Sequence, residues 1–397
     1  MDFDKDELLY TEVHNRFSNI KPLDSNKTNE ETPDNVIISA VFVVSFDHKK
    51  GNILEWCMPG DVNYTGIEFK ALVSGSHHVK SDFVYFRQYQ FYGVGCFALR
   101  PLKEEDGERG VRMKTVGILS NSYSNLHQHI EFLDSTVRHI LVHHGDYDRL
   151  IAFYSDQTIK TKNVIPISID LDNNAYNVFD YERFLTTFGI KIFTLWKLVL
   201  LRKRIMVLSN PPIGPICQQV ICCHRLGSHD IDQLQYLQPK LMFNISLSDT
   251  EQFKPSFWQQ AFVACSTDQI IQIKKTWYDC LIRESNIEMM NEADSLISEA
   301  VSVSSSDKVK FAKLLDIRQN IDCSKNNWEE CVISFFKSEN NRLLSVLLDL
   351  ANSGEPEITT SQIEHLGFHP REDKDFLLLL LETYGIDLVY HIDSKCC

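Results

Sequence analysis

The sequence has few long apolar runs, and none reaches the roughly 18–20 residues that a membrane-spanning helix needs. The run at residues 36–46 is too short, and the run at residues 195–201 is interrupted by Lys197. The first seven residues (MDFDKDE) are acidic, whereas a secretory signal has a basic start and an apolar stretch. We therefore expect a cytoplasmic protein with no transmembrane segment and at most peripheral recruitment to membranes.

Recognisable catalytic motifs are also missing. The sequence has no Gly-x-Ser-x-Gly elbow, no Gly-Lys-Ser/Thr phosphate loop and no His-Glu-x-x-His helix. Residues 93–98 (GVGCFA) match the bare dinucleotide-binding fingerprint, but they lie within a strand-like run instead of between a strand and a helix. We interpret these glycines as sites of close packing against a helix, and expect neither a cofactor nor a covalent-chemistry active site.

The cysteines lack the spacing of a disulfide framework or a metal site. There are eleven, an odd number without repeated spacing, which favours reduced thiols. A tetrahedral zinc site usually draws paired ligands from two separate segments, whereas four candidates share one predicted helix: Cys217, Cys222, Cys223 and His224. We therefore expect no metal. The chain ends in Cys396 and Cys397, as some prenylated proteins do, and lipidation of this pair stays open.

Negative charge is in excess. The formal net charge is −14, which argues against nucleic acid or an anionic membrane as the main partner. The length of 397 residues suggests two or three domains that can each bury a core. With 43% hydrophobic and 24% charged residues, the balance is that of a globular protein. The expected partner is therefore another protein.

Residues 36–145 have the pattern of one compact α/β unit, and residues 1–35 before it are polar, acidic and predicted to be disordered. Two apolar runs, at 36–46 and 53–57, flank a short polar loop, which predicts a β-hairpin. A short helix, three further strands and a long amphipathic helix follow. Apolar residues at three- and four-residue spacing mark the buried face of the long helix: Leu126, Ile130, Leu133, Val137, Ile140 and Leu141.

A second α/β block is predicted at residues 146–285. Its first part, to about residue 180, is punctuated by Asp, Asn and Pro and is interpreted as a connector. Helices and short strands then alternate, which predicts a sheet covered on both faces: helices at 192–201 and 215–225, strands at 204–208, 241–247, 262–265 and 277–282. From Asn286 to the end the pattern is helical.

Several segments of the chain resemble the DENN-domain proteins, and more narrowly the LCHN branch of that family. In the first block they are residues 46–57 (FDHKKGNILEWC), 80–87 (KSDFVYFR) and 109–120 (RGVRMKTVGILS). In the second they are residues 195–205 (LWKLVLLRKRI) and 262–268 (FVACSTD). The resemblance covers residues 36–285 well and the helical tail poorly.

The resemblance implies a longin-like module (upstream DENN, residues 36–145), a central α/β DENN module (146–285) and a helical C-terminal module (downstream DENN, 286–397). The activity that it implies is guanine-nucleotide exchange, which promotes GDP release from a Rab-type small GTPase in membrane trafficking. Such a factor makes no covalent bond. It binds the opened GTPase more tightly than the loaded form and so shifts the population.

No catalytic residue of the family maps onto this chain by motif. The loop 59–66, with Asp61 and Tyr64, and the following short helix, with Phe69 and Lys70, are the candidate GTPase contacts. The plainer alternative is that Tyr64 and Phe69 cover the sheet.

Two other roles stay open. Relatives of the folliculin type activate GTP hydrolysis through a longin-module arginine. In this chain Arg109 or Arg112 could be such an arginine finger, although solvated loop arginines are the simpler interpretation. The third possibility is a scaffold that binds a GTPase without changing nucleotide turnover.

Overall fold

The computed structural model describes residues 37–102, 110–124, 126–162, 179–249, 255–290, 295–320, 325–353 and 356–390. The segment 1–35, predicted to be disordered, lies outside these residues, as do Arg109 and the terminal Cys396 and Cys397. The described residues form a mixed α/β structure with one large sheet and several helices, so the predicted α/β class is confirmed.

Within the described residues, ten strands form one sheet in the order β10-β9-β6-β8-β7-β3-β4-β5-β1-β2. They are β1 (Ile38–Asp47), β2 (Gly51–Met58), β3 (Ser81–Gln88), β4 (Phe91–Pro101), β5 (Val111–Ser120), β6 (Ile205–Leu208), β7 (Lys240–Asn244), β8 (Phe262–Ser266), β9 (Cys280–Arg283) and β10 (Asn286–Met289).

Strands β1 to β5 form an antiparallel half of this sheet. The predicted hairpin is confirmed, because β1 and β2 pair in antiparallel fashion. At its turn, the Asp47 carboxylate accepts hydrogen bonds of 2.8 Å from the backbone N–H groups of Lys49 and Lys50. Gly51 follows with a φ of +79°, a conformation that glycine adopts without steric cost.

Strands β6 to β9 form a parallel half. The pairing of Phe86 in β3 with Asn244 in β7 joins it to the antiparallel half. One sheet therefore runs through both predicted blocks. The carboxyl end of β7 lies beside β3 at this junction, which places the loop after β7 against the first block.

The prediction that the chain is helical from Asn286 onward is wrong at its start. Residues Asn286–Met289 form β10, which pairs with β9 in antiparallel fashion, with Ile287 opposite Ile282. Glu284 has a φ of +54° in the turn between the two strands. A four-residue strand is too short for its period-two pattern to stand out beside the helices that follow.

Eleven α-helices are present in the described residues. They are α1 (Ile67–Ala71), α2 (Ile130–Val142), α3 (Asp148–Lys162), α4 (Tyr181–Phe188), α5 (Ile192–Leu200), α6 (Gly214–Arg225), α7 (Ser295–Ala300), α8 (Ser305–Asn320), α9 (Lys325–Ala351), α10 (Thr360–His365) and α11 (Lys374–Tyr384). The six residues predicted to form the apolar stripe before and along α2 are all buried.

Helix α3 corrects the prediction of a connector, because residues Asp148–Lys162 are helical. Leu150 is fully buried, and Phe153 stacks on Phe132 of α2 with ring centroids 4.5 Å apart. Most other described side chains of α3 are exposed or half-buried. Its apolar stripe is therefore too weak to identify the helix from sequence.

The glycines of the fingerprint-like segment lie inside β4, and their expected packing against a helix is wrong in detail. A Cβ on Gly93 would lie 2.5 Å from Cζ of Phe86 in β3, and one on Gly95 would lie 2.8 Å from Cγ2 of Thr115 in β5. The close neighbours are thus side chains of the adjacent strands. The nearest atom of helix α1, Cβ of Ala71, would lie 3.7 Å from a Cβ on Gly95, which is an ordinary van der Waals distance.

The helical tail docks on α5. Trp196 donates a hydrogen bond of 2.7 Å from Nε1 to Oδ1 of Asn340 in α9. Lys197 Nζ lies 2.8 Å from an Asp307 carboxylate oxygen and 3.0 Å from one of Asp373, and all three side chains are fully buried. The tail also contains a small parallel pair of strands that the sequence did not predict: β11 (Glu357–Ile358) and β12 (Val389–Tyr390).

The parallel half has two apolar faces. Alternate residues belong to two separate buried clusters, as a period-two strand requires. Ile205 and Val207 of β6 belong to the main core, whereas Met206 and Leu208 belong to the second cluster. Cys265 of β8 also belongs to the main core. Short 3₁₀ segments, instead of α-helices, contribute to the second cluster.

Candidate docking cleft

A cleft of about 830 Å³ lies at the junction of the two sheet halves. Its lining comes from the β1–β2 turn, from α1 and the loop after it, and from the loops that follow β7 and β8. Side chains from both halves therefore face one space. Phe46, Asn52, Phe69 and Met113 belong to the antiparallel half, and Leu247 and Asp268 belong to the parallel half.

Helix α1 forms one wall. Gly66, at its N-cap, has a φ of +78°, which lets the chain turn sharply into the helix. Ile67 and Ala71 are buried on the same face, because residues four apart lie on one side of a helix. Phe69 lies on the other side and remains 47% exposed in the cleft.

The hairpin turn holds α1 in place. The Asn52 side-chain amide donates a hydrogen bond of 2.8 Å to the carbonyl of Leu72 and one of 3.2 Å to the carbonyl of Glu68. The last carbonyls of a helix have no partner within the helix. Asn52 provides a donor for the Leu72 carbonyl at the C-cap of α1. Its second bond is shared, because the Glu68 carbonyl also accepts the backbone N–H of Leu72 at 3.3 Å. Together the two bonds tie the end of α1 to the hairpin.

The loop after β7 forms the opposite wall. The Asp249 carboxylate accepts a hydrogen bond of 2.9 Å from the backbone N–H of Ser246. The Asp268 carboxylate accepts one of 3.0 Å from the backbone N–H of Leu247. Leu247 is 37% exposed in the cleft. Burial raises the pKa of Asp268, and the Leu247 N–H opposes this shift.

A buried ion pair joins the two walls. Lys70 Nζ of α1 lies 2.6 Å from Oδ1 of Asp249, and both side chains are essentially inaccessible. The same ammonium group donates a hydrogen bond of 2.7 Å to the carbonyl of Arg87. Burial lowers the pKa of Lys70 and raises the pKa of Asp249, while the attraction between the two charges opposes both shifts.

Three of the exposed large hydrophobic side chains in the described residues line the cleft. Phe46 is 38% exposed, and Phe69 and Leu247 are exposed to a similar degree. All three are large hydrophobic side chains that line the same space. Apolar and aromatic anchors in a concave site, with a few polar groups around them, are typical of protein-recognition surfaces. The arrangement can bind a partner by burying these side chains.

The candidate contacts from the sequence lie in different environments. Phe69 lies in the cleft, and Lys70 lies beneath it in the ion pair, with no exposed surface to offer a partner. Tyr64 is 7% exposed and donates a hydrogen bond of 2.7 Å from its hydroxyl to the carbonyl of Pro59, and burial raises its pKa. Asp61 is exposed in its loop, outside the cleft lining.

Three residues that build the cleft were not predicted from the sequence. Phe46 and Leu247 both line the cleft, and Asp249 holds Lys70. Phe46 could have been suspected, because it is an aromatic residue beside a polar turn. Leu247 and Asp249 could not, because nothing local in the sequence shows that the loop after β7 meets α1.

Arg112 lies in β5, directly opposite Arg100 of β4. Each of these arginines donates a hydrogen bond of 3.2 Å from Nη1 to the carbonyl of Leu141 in the last turn of α2. Cations at a helix C-terminus are favourable because they complement the helix dipole. Arg112 is thus engaged within the protein, and Met113, the next residue, faces the cleft.

Comparison with known proteins identifies the family. The family model of DENN domain-containing protein 11 matches residues 41–294, a range that includes both walls of the cleft. The chain belongs to this DENN-domain family. The predicted family resemblance is therefore confirmed.

Relatives named DENN domain-containing protein 11 match most of the chain. The Danio rerio protein is 36% identical over 96% of this chain and 81% of its own length. The Xenopus laevis protein is 37% identical over 91% of this chain and 87% of its own. The Mus musculus protein is 35% identical over 91% of this chain and 83% of its own length. These alignments extend beyond the range of the family model, into the helical tail.

None of the helices in the described ranges is both long and apolar enough to span a membrane. No group of three or more histidine, cysteine, aspartate or glutamate side chains within the same ranges is arranged to hold a metal ion.

Proposed function

We propose that this protein is a guanine-nucleotide exchange factor that promotes GDP release from a Rab-type small GTPase in membrane trafficking. Membership of the DENN-domain family supports this proposal, because small GTPases are the general partners of that family. The observation that carries it is the cleft, in which three exposed apolar side chains from both sheet halves converge.

The mechanism that we propose is differential binding. Mg²⁺ and the nucleotide phosphates hold the switch segments of a GTPase in order. A protein that binds the opened GTPase more tightly shifts the population toward that form, and moving it from 1:99 to 99:1 takes a preference of about 10⁴-fold. Phe69 is our proposed anchor, with Phe46 and Leu247 beside it. Asp61 is proposed as a more distant contact.

Lys70 and Asp249 act in this proposal as positioning residues. Their ion pair fixes the distance between the wall that carries Phe69 and the wall that carries Leu247. A rigid cleft keeps its anchors in the binding geometry before the partner arrives, which lowers the entropic cost of association.

The division into modules is also part of the proposal. We assign residues 36–145, with the antiparallel half of the sheet, to the longin-like module and residues 146–285 to the central DENN module. The tail, residues 286–397, is the C-terminal helical module. Because β10 pairs with β9, the sheet of the central module extends past this boundary to Met289.

The experiment is a nucleotide-release assay. The purified chain is mixed with a panel of Rab proteins loaded with fluorescent GDP, and release is followed in the presence of excess unlabelled nucleotide. Exchange activity appears as faster release on at least one Rab protein. Phe69→Ala should abolish most of the acceleration, whereas Tyr236→Ala should not. Tyr236 is the matched control, because it is an aromatic residue 80% exposed outside the cleft lining.

The same proteins distinguish the other two roles. Faster GTP hydrolysis that is lost on Arg109→Ala or Arg112→Ala would assign a GTPase-activating function. The hydrogen bond from Arg112 to the carbonyl of Leu141 argues against Arg112 as an arginine finger. Stable binding that changes neither rate would assign a scaffold. The cytoplasmic location stays a prediction.

A further inference from the structure

The connection between β8 and β9 is unusual for parallel strands. Such crossovers are commonly α-helices, but residues 267–279 contain only a 3₁₀ helix, Gln269–Ile273, followed by irregular chain. Two of its residues, Ile271 and Tyr278, belong to the second apolar cluster on the sheet. The segment therefore covers this face in place of a helix.

Hydrogen bonds hold the segment firmly from beneath. The fully buried Tyr278 donates from its hydroxyl to the carbonyls of Ile271 (3.2 Å) and Gln272 (3.0 Å). Arg204, which precedes β6, donates from Nη1 to the carbonyl of Thr276 at 2.7 Å. Its outer side chains are therefore presented in a defined arrangement and not by a loose loop.

Two large aliphatic side chains lie on the outer side of this segment. Ile270 is 47% exposed and Ile273 is 71% exposed. Isolated exposed hydrophobic residues need no explanation, but two on one fixed turn form a local patch. The adjacent Trp277 is half-buried and stacks on Trp258 with ring centroids 4.5 Å apart. Tryptophan is favoured where one end of a side chain is in apolar surroundings and the other is wet.

The charge of the patch is opposite in sign to that of the protein. Lys274 and Lys275 follow Ile273 and are both exposed, in a chain with a net charge of −14. Neighbouring acidic groups are engaged elsewhere: Asp268 with the N–H of Leu247, Asp279 in an ion pair with Arg204, and Glu288 with Arg283 at 2.8 Å. The ammonium groups of Lys274 and Lys275 therefore follow the two isoleucines directly, and Lys274 Nζ also lies 5.9 Å from the ring centroid of Trp277.

We propose that residues 269–277 form a membrane-contact element that binds an anionic lipid surface. Ile270 and Ile273 insert among the lipid headgroups, and the ammonium groups of Lys274 and Lys275 bind lipid phosphates. Exposed aliphatic side chains beside lysines and a tryptophan match the interface of a bilayer, where apolar and anionic groups lie a few ångströms apart. A protein partner would need a comparable acidic rim around an apolar centre, whereas an anionic bilayer presents both everywhere.

Membrane contact by residues 269–277 would not depend on exchange activity, but it would place the bilayer close to the cleft. Asp268 forms the N-cap of the 3₁₀ helix and also lines the cleft. A bilayer held at Ile270 and Ile273 would therefore lie beside the cleft. Because the net charge opposes approach to anionic lipid, we expect the binding to be weak and to depend on these few side chains.

The test is flotation of the full chain with vesicles. One set contains phosphatidylcholine alone, and the other contains phosphatidylcholine with phosphatidylserine. Ile270→Ser/Ile273→Ser should lower partitioning onto the anionic vesicles at least about tenfold, and Lys274→Gln/Lys275→Gln about fivefold for each charge removed. The matched control is Lys308→Gln/Val309→Ser, an exposed lysine and aliphatic pair on α8, which should leave partitioning unchanged.

Three results would overturn the proposal. One is a wild-type chain that does not float with anionic vesicles, and another is flotation that survives both double substitutions. The third is a protein role for the patch, seen as self-association in light scattering, or as GTPase binding without lipid, that Ile270→Ser/Ile273→Ser removes. Circular dichroism of each variant checks that a loss of flotation is not a loss of folding.

Discussion

Lys70 Nζ lies 2.6 Å from Oδ1 of Asp249, with both side chains buried, and this pair joins helix α1 to the loop after β7. The two residues are far apart in sequence and belong to different halves of the sheet. Phe69, the neighbour of Lys70, faces the cleft. The pair therefore couples the interior of the junction to the surface that we propose binds a GTPase.

Removing one partner of this pair should destabilise the protein strongly. Lys70→Met leaves a buried carboxylate without its counter-charge, and such changes cost about 3–5 kcal/mol. Lys70→Met/Asp249→Leu removes both charges, so we expect it to cost less than the single substitution. The free energy of unfolding in urea gives the comparison.

The control for this prediction is the exposed pair of Asp134 and Arg138 on α2, where Arg138→Met should cost less than about 1 kcal/mol. Equal losses at Lys70 and Arg138 would show that the buried pair does not stabilise the junction.

A second contact between the halves involves Asp82 of β3. Its carboxylate accepts hydrogen bonds from the backbone N–H groups of Ile213 (2.6 Å) and Gly214 (3.1 Å) at the start of α6. Asp82→Ala leaves these donors without their acceptor, so we expect a loss of about 1–3 kcal/mol in the free energy of unfolding.

Asp47→Ala is the matched comparison, because Asp47 also accepts two backbone N–H groups but does so at an exposed turn. Its loss should be the smaller one, since water can replace the carboxylate there. A larger effect at Asp47 would contradict the assignment of Asp82 as a structural link.

Because His224 of α6 is buried, we expect the folded protein to lose stability in mild acid. Burial lowers the pKa of His224 to about 4, and the hydrogen bond that its Nε2–H donates to the carbonyl of Pro239 opposes this shift. The unfolded chain, with a histidine pKa near 6.5, binds this proton at a higher pH than the folded chain. The free energy of unfolding should therefore fall as the pH is lowered from about 6.5 to about 4.

The measurement is urea denaturation across this range for the wild type, His224→Gln and His48→Gln. His224→Gln should flatten the pH dependence, and His48→Gln, at an exposed position on the hairpin turn, is the comparison. The same slope in all three proteins would refute the role given to His224.

Arg112 gives a prediction about the alternative function. Its guanidinium binds the carbonyl of Leu141, so we expect Arg112→Ala to reduce thermal stability modestly without changing the GTP hydrolysis rate of a bound Rab protein. Arg112→Lys keeps the charge and should recover part of the stability. A drop in hydrolysis on Arg112→Ala, with the fold intact, would favour the arginine-finger role instead.

The sequence predicted the parts of the fold that have strong local signals. The hairpin that turns after Asp47 has an apolar–polar–apolar pattern, and the apolar stripe of α2 repeats at three- and four-residue spacing. Helix α3 and strand β10 were missed because their signals are weak: α3 buries little of its surface, and β10 has only four residues.

The site could be predicted only in part, for a different reason. Phe69 was chosen as a candidate because it is an aromatic residue in a short helix beside a loop, and the structure places it in the cleft. Lys70 looked like a surface contact, since nothing in its neighbourhood reveals a counter-charge. Its partner, Asp249, becomes adjacent only through the pairing of β3 with β7, and no local pattern encodes which strands pair.

The central claim is that the cleft opens a Rab-type GTPase through its apolar anchors. The most direct measurement is the rate of fluorescent GDP release from a panel of Rab proteins, with the wild type, Phe69→Ala and Tyr236→Ala compared at equal concentration. We expect the wild type and Tyr236→Ala to accelerate release from at least one Rab protein, and Phe69→Ala to lose at least about tenfold of that acceleration. Release that none of the three proteins accelerates, or that Phe69→Ala accelerates as well as the wild type, would contradict it.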